Sequence, residues 1–209
     1  MSFEENVFIN CPFDEQYLPL LRPMLFTVIF LGLVPRISSE AIDSGQARLE
    51  KIVEMIRGSK YGIHDLSRSQ AQKKGEYFRL NMPFELGLDL GCRHFGKSDH
   101  KTKKILVLET EPHKSKFALS DLSGCDLEAH KNEPYELIGI IRKWLNNTAS
   151  MDAVGASKIE SAFSDFMAAN YDALKTKGFS DRDIQNLGVP ELIRHMKAWV
   201  SKNFPKPSQ

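Results

Sequence analysis

Cysteine is scarce in this chain. The 209 residues hold three, Cys11, Cys92 and Cys125, an odd number at irregular spacing that excludes a complete disulfide framework and suits a reducing compartment. An excess of either charge is missing too. With 28 Lys and Arg against 27 Asp and Glu, the formal charge is +1, so no direct nucleic-acid partner or acidic-surface clamp is expected. The longest apolar run, Leu18 to Val34, is interrupted by Pro19, Arg22 and Pro23 and closed by Gly32. A spanning helix needs roughly 20 uninterrupted apolar residues, so this run reads as a buried helix and no membrane partner is expected. The opening Met-Ser-Phe-Glu-Glu has neither the basic segment nor the apolar block of a secretory leader, which points to a cytoplasmic chain. Gly91 to Lys97 matches Gly-x-x-x-x-Gly-Lys, but it closes a helical pattern instead of joining a strand to a helix start, so it is not read as the usual phosphate-cradling loop.

What is present alternates between two periods. Asn6 to Asn10 is a short strand-like run ended by Cys11-Pro12-Phe13-Asp14, because proline cannot donate into a central strand. Leu21, Leu25, Val28 and Ile29 recur at helical spacing, Leu33 to Ile37 reads as a second strand, and Leu49, Ile52, Val53 and Ile56 mark a helix over Gln46 to Arg57. Tyr61 to Leu66 is a third strand, Asn81 to Phe95 a helix, Lys104 to Glu109 a fourth strand, Cys125 to Ala129 a fifth, and Pro134 to Leu145 a helix. Strands alternating with helices imply a mainly parallel sheet of five strands with helices on both faces. Residues 1–147 are therefore expected to form an α/β domain, 148–156 a small-residue linker, and 157–209 a helical C-terminal extension. In that extension Ser180 and Asp183 form a capping-box pattern and Pro190 falls in a helix's first turn.

Open parallel sheets bind ligands beyond the carboxyl ends of their strands, where the strand order reverses. Two segments fall there. One is the strand end His64-Asp65-Leu66-Ser67-Arg68; the other is the helix start Asn81-Met82-Pro83-Phe84-Glu85. Asn81 is the expected N-cap, and Pro83 is tolerated in a first turn. The positive end of the helix should keep Glu85 ionised at the ligand edge. Breaking an N-glycosidic bond builds positive charge on the anomeric carbon, which a carboxylate can stabilise electrostatically or trap covalently. Arg36, Arg48, Arg68 and Arg79 are candidate phosphate contacts, and Arg68 and Arg79 flank the site. Taken singly, an acid at a strand end or early in a helix serves more often as a cap or dipole complement. The pairing of the two is what singles this place out.

Taken together, Val7-Phe8-Ile9-Asn10-Cys11-Pro12-Phe13, Gly62-Ile63-His64-Asp65-Leu66-Ser67 and Asn81-Met82-Pro83-Phe84-Glu85-Leu86-Gly87 resemble the TIR-like nucleotide-binding domains of bacteria and, more distantly, the nucleoside 2-deoxyribosyltransferases. The similarity covers roughly residues 5 to 145 and none of the C-terminal helices. It implies a flavodoxin-like fold, cleavage of the glycosidic bond of NAD or a related nucleotide, a frequent role in bacterial immunity, and activity as a homo-oligomer. Glu85 then matches the catalytic glutamate, Asp65 and Ser67 the nucleoside pocket, and Asn10, Cys11, Pro12 and Phe13 the loop after the first strand; Arg68, Arg79 and Asn81 complete the candidate substrate contacts. NAD enters as substrate, and no cofactor is implied. Pro83 stands where the resemblance expects an aliphatic residue, and the polar insert from Arg68 to Arg79 is a further departure. A nucleotide-sensing scaffold without chemistry and a base-exchanging transferase remain the alternatives.

Other residues offer less. Cys92, His94 and His100 lack the partners that would complete a tetrahedral metal site. Cys11 reads as a small residue that lets a ligand approach, since no His is placed to activate it. His64 is expected to pack against the sheet, and Gly87-x-x-x-Gly91 to permit close helix packing.

Overall fold

The computed structural model describes residues 2–38, 45–68, 80–117, 119–122 and 124–205. Its centre is a five-stranded sheet built from β1 (Asn6–Asn10), β2 (Val34–Arg36), β3 (Tyr61–Asp65), β4 (Lys104–Glu109) and β5 (Leu127–Ala129) in the order β2-β1-β3-β4-β5. Every pairing is parallel, with Val7 opposite Pro35 on one side and Tyr61 on the other. The expected α/β architecture is present, and the sheet is parallel throughout. The fifth strand begins at Leu127, two residues later than the sequence pattern suggests.

Alternation along the strands sorts the core into two faces. Val7, Ile9, Tyr61, Ile63, Leu106 and Leu108 meet α1 (Leu18–Phe30) and α4 (Pro134–Thr148). Phe8 faces the other way, onto Ile52, Met55 and Ile56 of α2 (Arg48–Arg57), while Leu66 and Val107 pack with Met82 and Leu86 of α3 (Asn81–Phe95). Right-handed crossovers place α1 on one face and α2 and α3 on the other.

The apolar run that looked too broken for a membrane span is α1, buried almost all round at Leu20, Leu21, Met24, Leu25, Phe26, Val28 and Ile29. A helix apolar on every side must be covered on every side. The sheet covers one side; α5 (Ala156–Thr176) and α7 (Val189–Asn203) cover the other, with short α6 (Asp181–Gln185) between them. Phe26 is the hub, with ring centroids 5.4 Å from Phe163, 5.6 Å from Phe166 and 6.0 Å from Trp199. The C-terminal helices thus share the core of the sheet. Among the described residues, no helix is long and apolar enough to cross a membrane.

Local chemistry sets the helix ends. α6 opens on the expected capping box, Ser180 with Asp183. α4 runs on to Thr148, and the connection after it is tied down by Arg142, which donates to the carbonyls of Ala153 and Val154. Two expectations change. Leu80, in helical geometry and without a side-chain cap bond, precedes α3, so Asn81 is its exposed first residue and no N-cap. A Cβ added at Gly87 or Gly91 would meet nothing within 4 Å, so these glycines face open space and do not serve close packing.

Because α1 is held between the sheet and α5 and α7, Phe26→Ala should cost about 3–5 kcal/mol. Urea denaturation followed at Trp144 of α4 and Trp199 of α7 should show one coincident transition, shifted equally for both probes; separate transitions would divide the core.

Candidate active site

The chain leaves β1 toward β2 on one side and returns as β3 on the other, so the strand order reverses between β1 and β3. Crevices at such reversals are where open parallel sheets bind ligands. Asn10 ends β1 and Asp65 ends β3, and α3 starts above them. Four carboxylates are buried among the described residues: Asp65, Glu85, Asp89 and Glu109. Their partners separate them.

Asp65 is fully buried and fully engaged. The Tyr17 hydroxyl donates to Oδ2, the Ser67 amide and hydroxyl both donate to Oδ1, and His130 Nε2 lies 3.0 Å from Oδ2. Burial pushes its pKa up, but the hydrogen bonds from His130, Ser67 and Tyr17 outweigh burial and hold it below the ordinary carboxylate value. Ser67 Oγ is also 2.8 Å from His130 Nε2, which invites a hydrolase reading. The tautomer argues against one. His130 Nδ1 accepts the Asn132 N–H at 3.1 Å, so Nε2 carries the proton and cannot take one from Ser67. Ser67 and His130 hold Asp65; they do not form a nucleophile and base.

Asp89 anchors a second buried network, which runs beneath α3. Lys103 Nζ is 3.1 Å from Asp89 Oδ1 and donates to the Ile56 carbonyl at 2.8 Å and to that of Ser59, at the C-terminal end of α2, where a cation suits the helix field. Asp89 Oδ2 accepts from His64 Nε2 at 2.9 Å, and His64 Nδ1 then accepts from Asn10 Nδ2 at 3.0 Å. The same Asn10 amide donates to the Met82 carbonyl in the first turn of α3 at 2.9 Å. Because that carbonyl can only accept, it assigns the orientation of the Asn10 amide and, through it, the His64 tautomer. Gly62 makes the room: a Cβ there would overlap Asp89 Oδ2. Glu109 is capped by the N–H groups of His113, at 2.6 Å, and Ser115, at 2.8 Å.

Glu85 is the exception. It is 6% exposed and, alone among these four, accepts no hydrogen bond from a described residue; among the described residues it pairs with Arg48, whose guanidinium is 3.9 Å away and mostly in solvent. Burial raises its pKa above the ordinary glutamate value, and Arg48 offsets this only in part. The expectation that the helix terminus would favour the charge is corrected here. Glu85 is the fifth residue of α3, past the first turn where that field acts, and desolvation prevails. Cys11 lies among these acids: burial pushes its thiol well above the ordinary value, and Asp65, Glu85 and Asp14 push the same way. A thiol so disfavoured as thiolate is no nucleophile.

The remaining candidates spread around this centre. Pro12 is buried and Phe13 partly exposed beside Cys11. Arg68 pairs with Asp14 at 3.1 Å, joining the loops after β3 and β1. Asn81 stands exposed on α3. Arg79, with most of the polar insert, lies outside the described residues. Arg36 ends β2 at the edge of the sheet. Among the described residues, no group of three or more His, Cys, Asp or Glu is arranged to hold a metal.

Sequence reasoning missed Tyr17, His130, Asp89 and Lys103. Asp89 left one signal, an acid four residues after Glu85 on the buried side of an amphipathic helix. His130 left none, since its partner Asp65 is brought to it only by the β3–β4–β5 pairing. The network around Asp65 makes a pH prediction. A depressed folded-state pKa means stabilisation that is complete above the unfolded-chain value near about 4 and is lost as pH falls through the lower folded value. Asp65→Asn should therefore cost about 2 kcal/mol at neutral pH, with the gap to the wild type closing in acid; thermal melts across the acid range measure it.

Compared with protein-family models, curated proteins and solved structures, the chain matches none.

Proposed function

We propose that the protein is a hydrolase that cleaves the N-glycosidic bond of NAD or a related nucleotide, with Glu85 as the carboxylate facing the sugar. One observation carries this reading: of the four buried carboxylates among the described residues, three accept hydrogen bonds from described residues and Glu85 accepts none. A buried acid without a donor is costly to folding, and such groups gather where a ligand completes them. In the crevice, Glu85 stabilises the positive charge that develops on the anomeric carbon, or captures that carbon before water releases the sugar. Asp65, held ionised and fully engaged, fixes the loop after β3 beside the crevice, with Asn10, Ser67 and the Cys11-Pro12-Phe13 loop around the base or sugar. Arg48, Arg68 and Asn81 are the described candidates for phosphates and the outer edge, and Arg79, outside the described residues, is a further candidate from the sequence. The three unpaired thiols suit a cytoplasmic location, and a role in bacterial defence follows only from the resemblance above.

The test is nicotinamide release from NAD by the purified chain. Glu85→Gln should reduce turnover by about 10²-fold or more, while NAD binding by calorimetry survives; equal turnover removes Glu85 from the mechanism. Retained binding with intact NAD in both proteins would make the crevice a sensor. Stability should move the other way. Since the Glu85 pKa is raised in the fold, its ionisation destabilises the protein as pH rises past the unfolded-chain value. Glu85→Gln should therefore melt higher than wild type at neutral pH, and that gain should vanish in acid.

Assembly into a homo-oligomer belongs to the same proposal. The outward side of α3 carries Leu80, Phe84 and Phe95, exposed by 66, 54 and 90%, with the open Gly87 and Gly91 between them. Contiguous apolar surface of this kind marks association sites. Phe95→Glu should lower the sedimentation-derived mass of the wild-type assembly toward one chain; a monomeric wild type would refute self-association through this face.

A further inference from the structure

A second concave region lies away from the crevice, where α1 meets the C-terminal helices. A cavity of about 600 Å³ is lined by Leu18, Pro19, Arg22, Phe163, Met167 and Leu187, together with Gln185, Asn186 and Glu15. An adjoining cavity of about 400 Å³ shares Arg22, Met167, Gln185 and Leu187 and extends to Ile184 and Leu192. None of these residues belongs to the candidate active site.

Arg22 is the unusual member. It is half-buried, its Nε is buried without an acceptor, and it forms no ion pair with any described residue. Burial pulls its pKa below the ordinary guanidinium value, and no carboxylate counteracts this. A donor out of water without an acceptor is costly, and here that donor is Nε, while the rest of the guanidinium lines the two cavities. The acids nearby do not serve it. Glu15 is exposed at the rim of the larger cavity, and Asp181, in the smaller one, accepts from the Tyr171 hydroxyl at 2.7 Å and from Lys175 at 3.2 Å. Gln185 lines both cavities, and its side chain makes no hydrogen bond with a described residue. A forked donor with an unused carboxamide beside it, set in a wall of Phe, Met, Leu and Pro side chains, matches an anionic head on an apolar body.

We propose that this cavity binds a small organic anion, a carboxylate or phosphate group carried on an apolar body, with Arg22 receiving the anion and Phe163, Met167 and Leu187 the apolar part. The class is chosen by complementarity: the guanidinium offers donors to an anion, and the apolar lining offers surface to a body carried on it.

Calorimetry on the full chain with octanoate and with phenyl phosphate, against octanol and phenol, tests it. The expected result is binding of one or both anions and of neither neutral analogue; whichever anion binds identifies the head group as carboxylate or phosphate. Arg22→Met, which keeps the aliphatic stem, should weaken binding about tenfold or more. Leu187→Trp, which fills the cavity and leaves Arg22 in place, should abolish it and serves also if Arg22→Met does not fold. Failure of both anions to bind at millimolar concentration, equal binding of the neutral analogues, or unchanged affinity in either folded variant overturns the proposal. None of these readouts depends on glycosidic cleavage, so this site and the Glu85 reading stand or fall separately.

Discussion

The buried polar chain from Lys103 through Asp89, His64 and Asn10 to the Met82 carbonyl is the constraint on which the crevice depends. Each bond dictates the next: Asp89, ion-paired with Lys103, accepts a hydrogen bond from the Nε2–H of His64, and His64 offers the lone pair of Nδ1 to Asn10. The last donor reaches the first turn of α3. In a water-free interior every one of these groups would be costly if left alone, so the network specifies one position of α3 against β1 and β3. Glu85, one turn further along α3, is thereby held over the reversal of strand order without touching the network itself.

The four buried acids show how position in a fold divides roles among like residues. Asp89 and Glu109 serve the structure: one receives a lysine and a histidine, the other caps a loop through two backbone N–H groups. Asp65 stands between structure and site, charged because His130, Ser67 and Tyr17 keep it so. Glu85 is desolvated with only partial compensation, from Arg48. Stability spent at one position while its neighbours are hydrogen-bonded is the pattern of a functional group in an otherwise consistent fold.

The C-terminal helices change the meaning of α1. Its apolar run could have been covered by sheet alone only if it were amphipathic; being apolar on both sides, it requires α5 and α7, and Phe26 meets their aromatic rings. The same junction creates the two cavities around Arg22. One helix thus closes the core on its inner side and, through Tyr17 just before it, supports Asp65 at the crevice.

The alternation of period-two and helical patterns determined the element order, because strand and helix periodicity are local properties of side-chain placement. β1, α3 and β4 were legible to the residue, as were the loops after Asn10 and Asp65. The cap of α3 was misread, since Leu80 and Asn81 differ by one position and cap geometry is finer than any propensity. Which acids are occupied was not legible at all. His130 and Asp65 are 65 positions apart, Lys103 and Ile56 nearly as distant, and only the parallel pairing of β3, β4 and β5 and the packing of α3 bring them within hydrogen-bond reach. Burial and partner choice are long-range properties: the chain supplied Glu85 and its neighbours in order, and the tertiary packing decided that, of the four buried acids among the described residues, Glu85 is the one without a described hydrogen-bond donor.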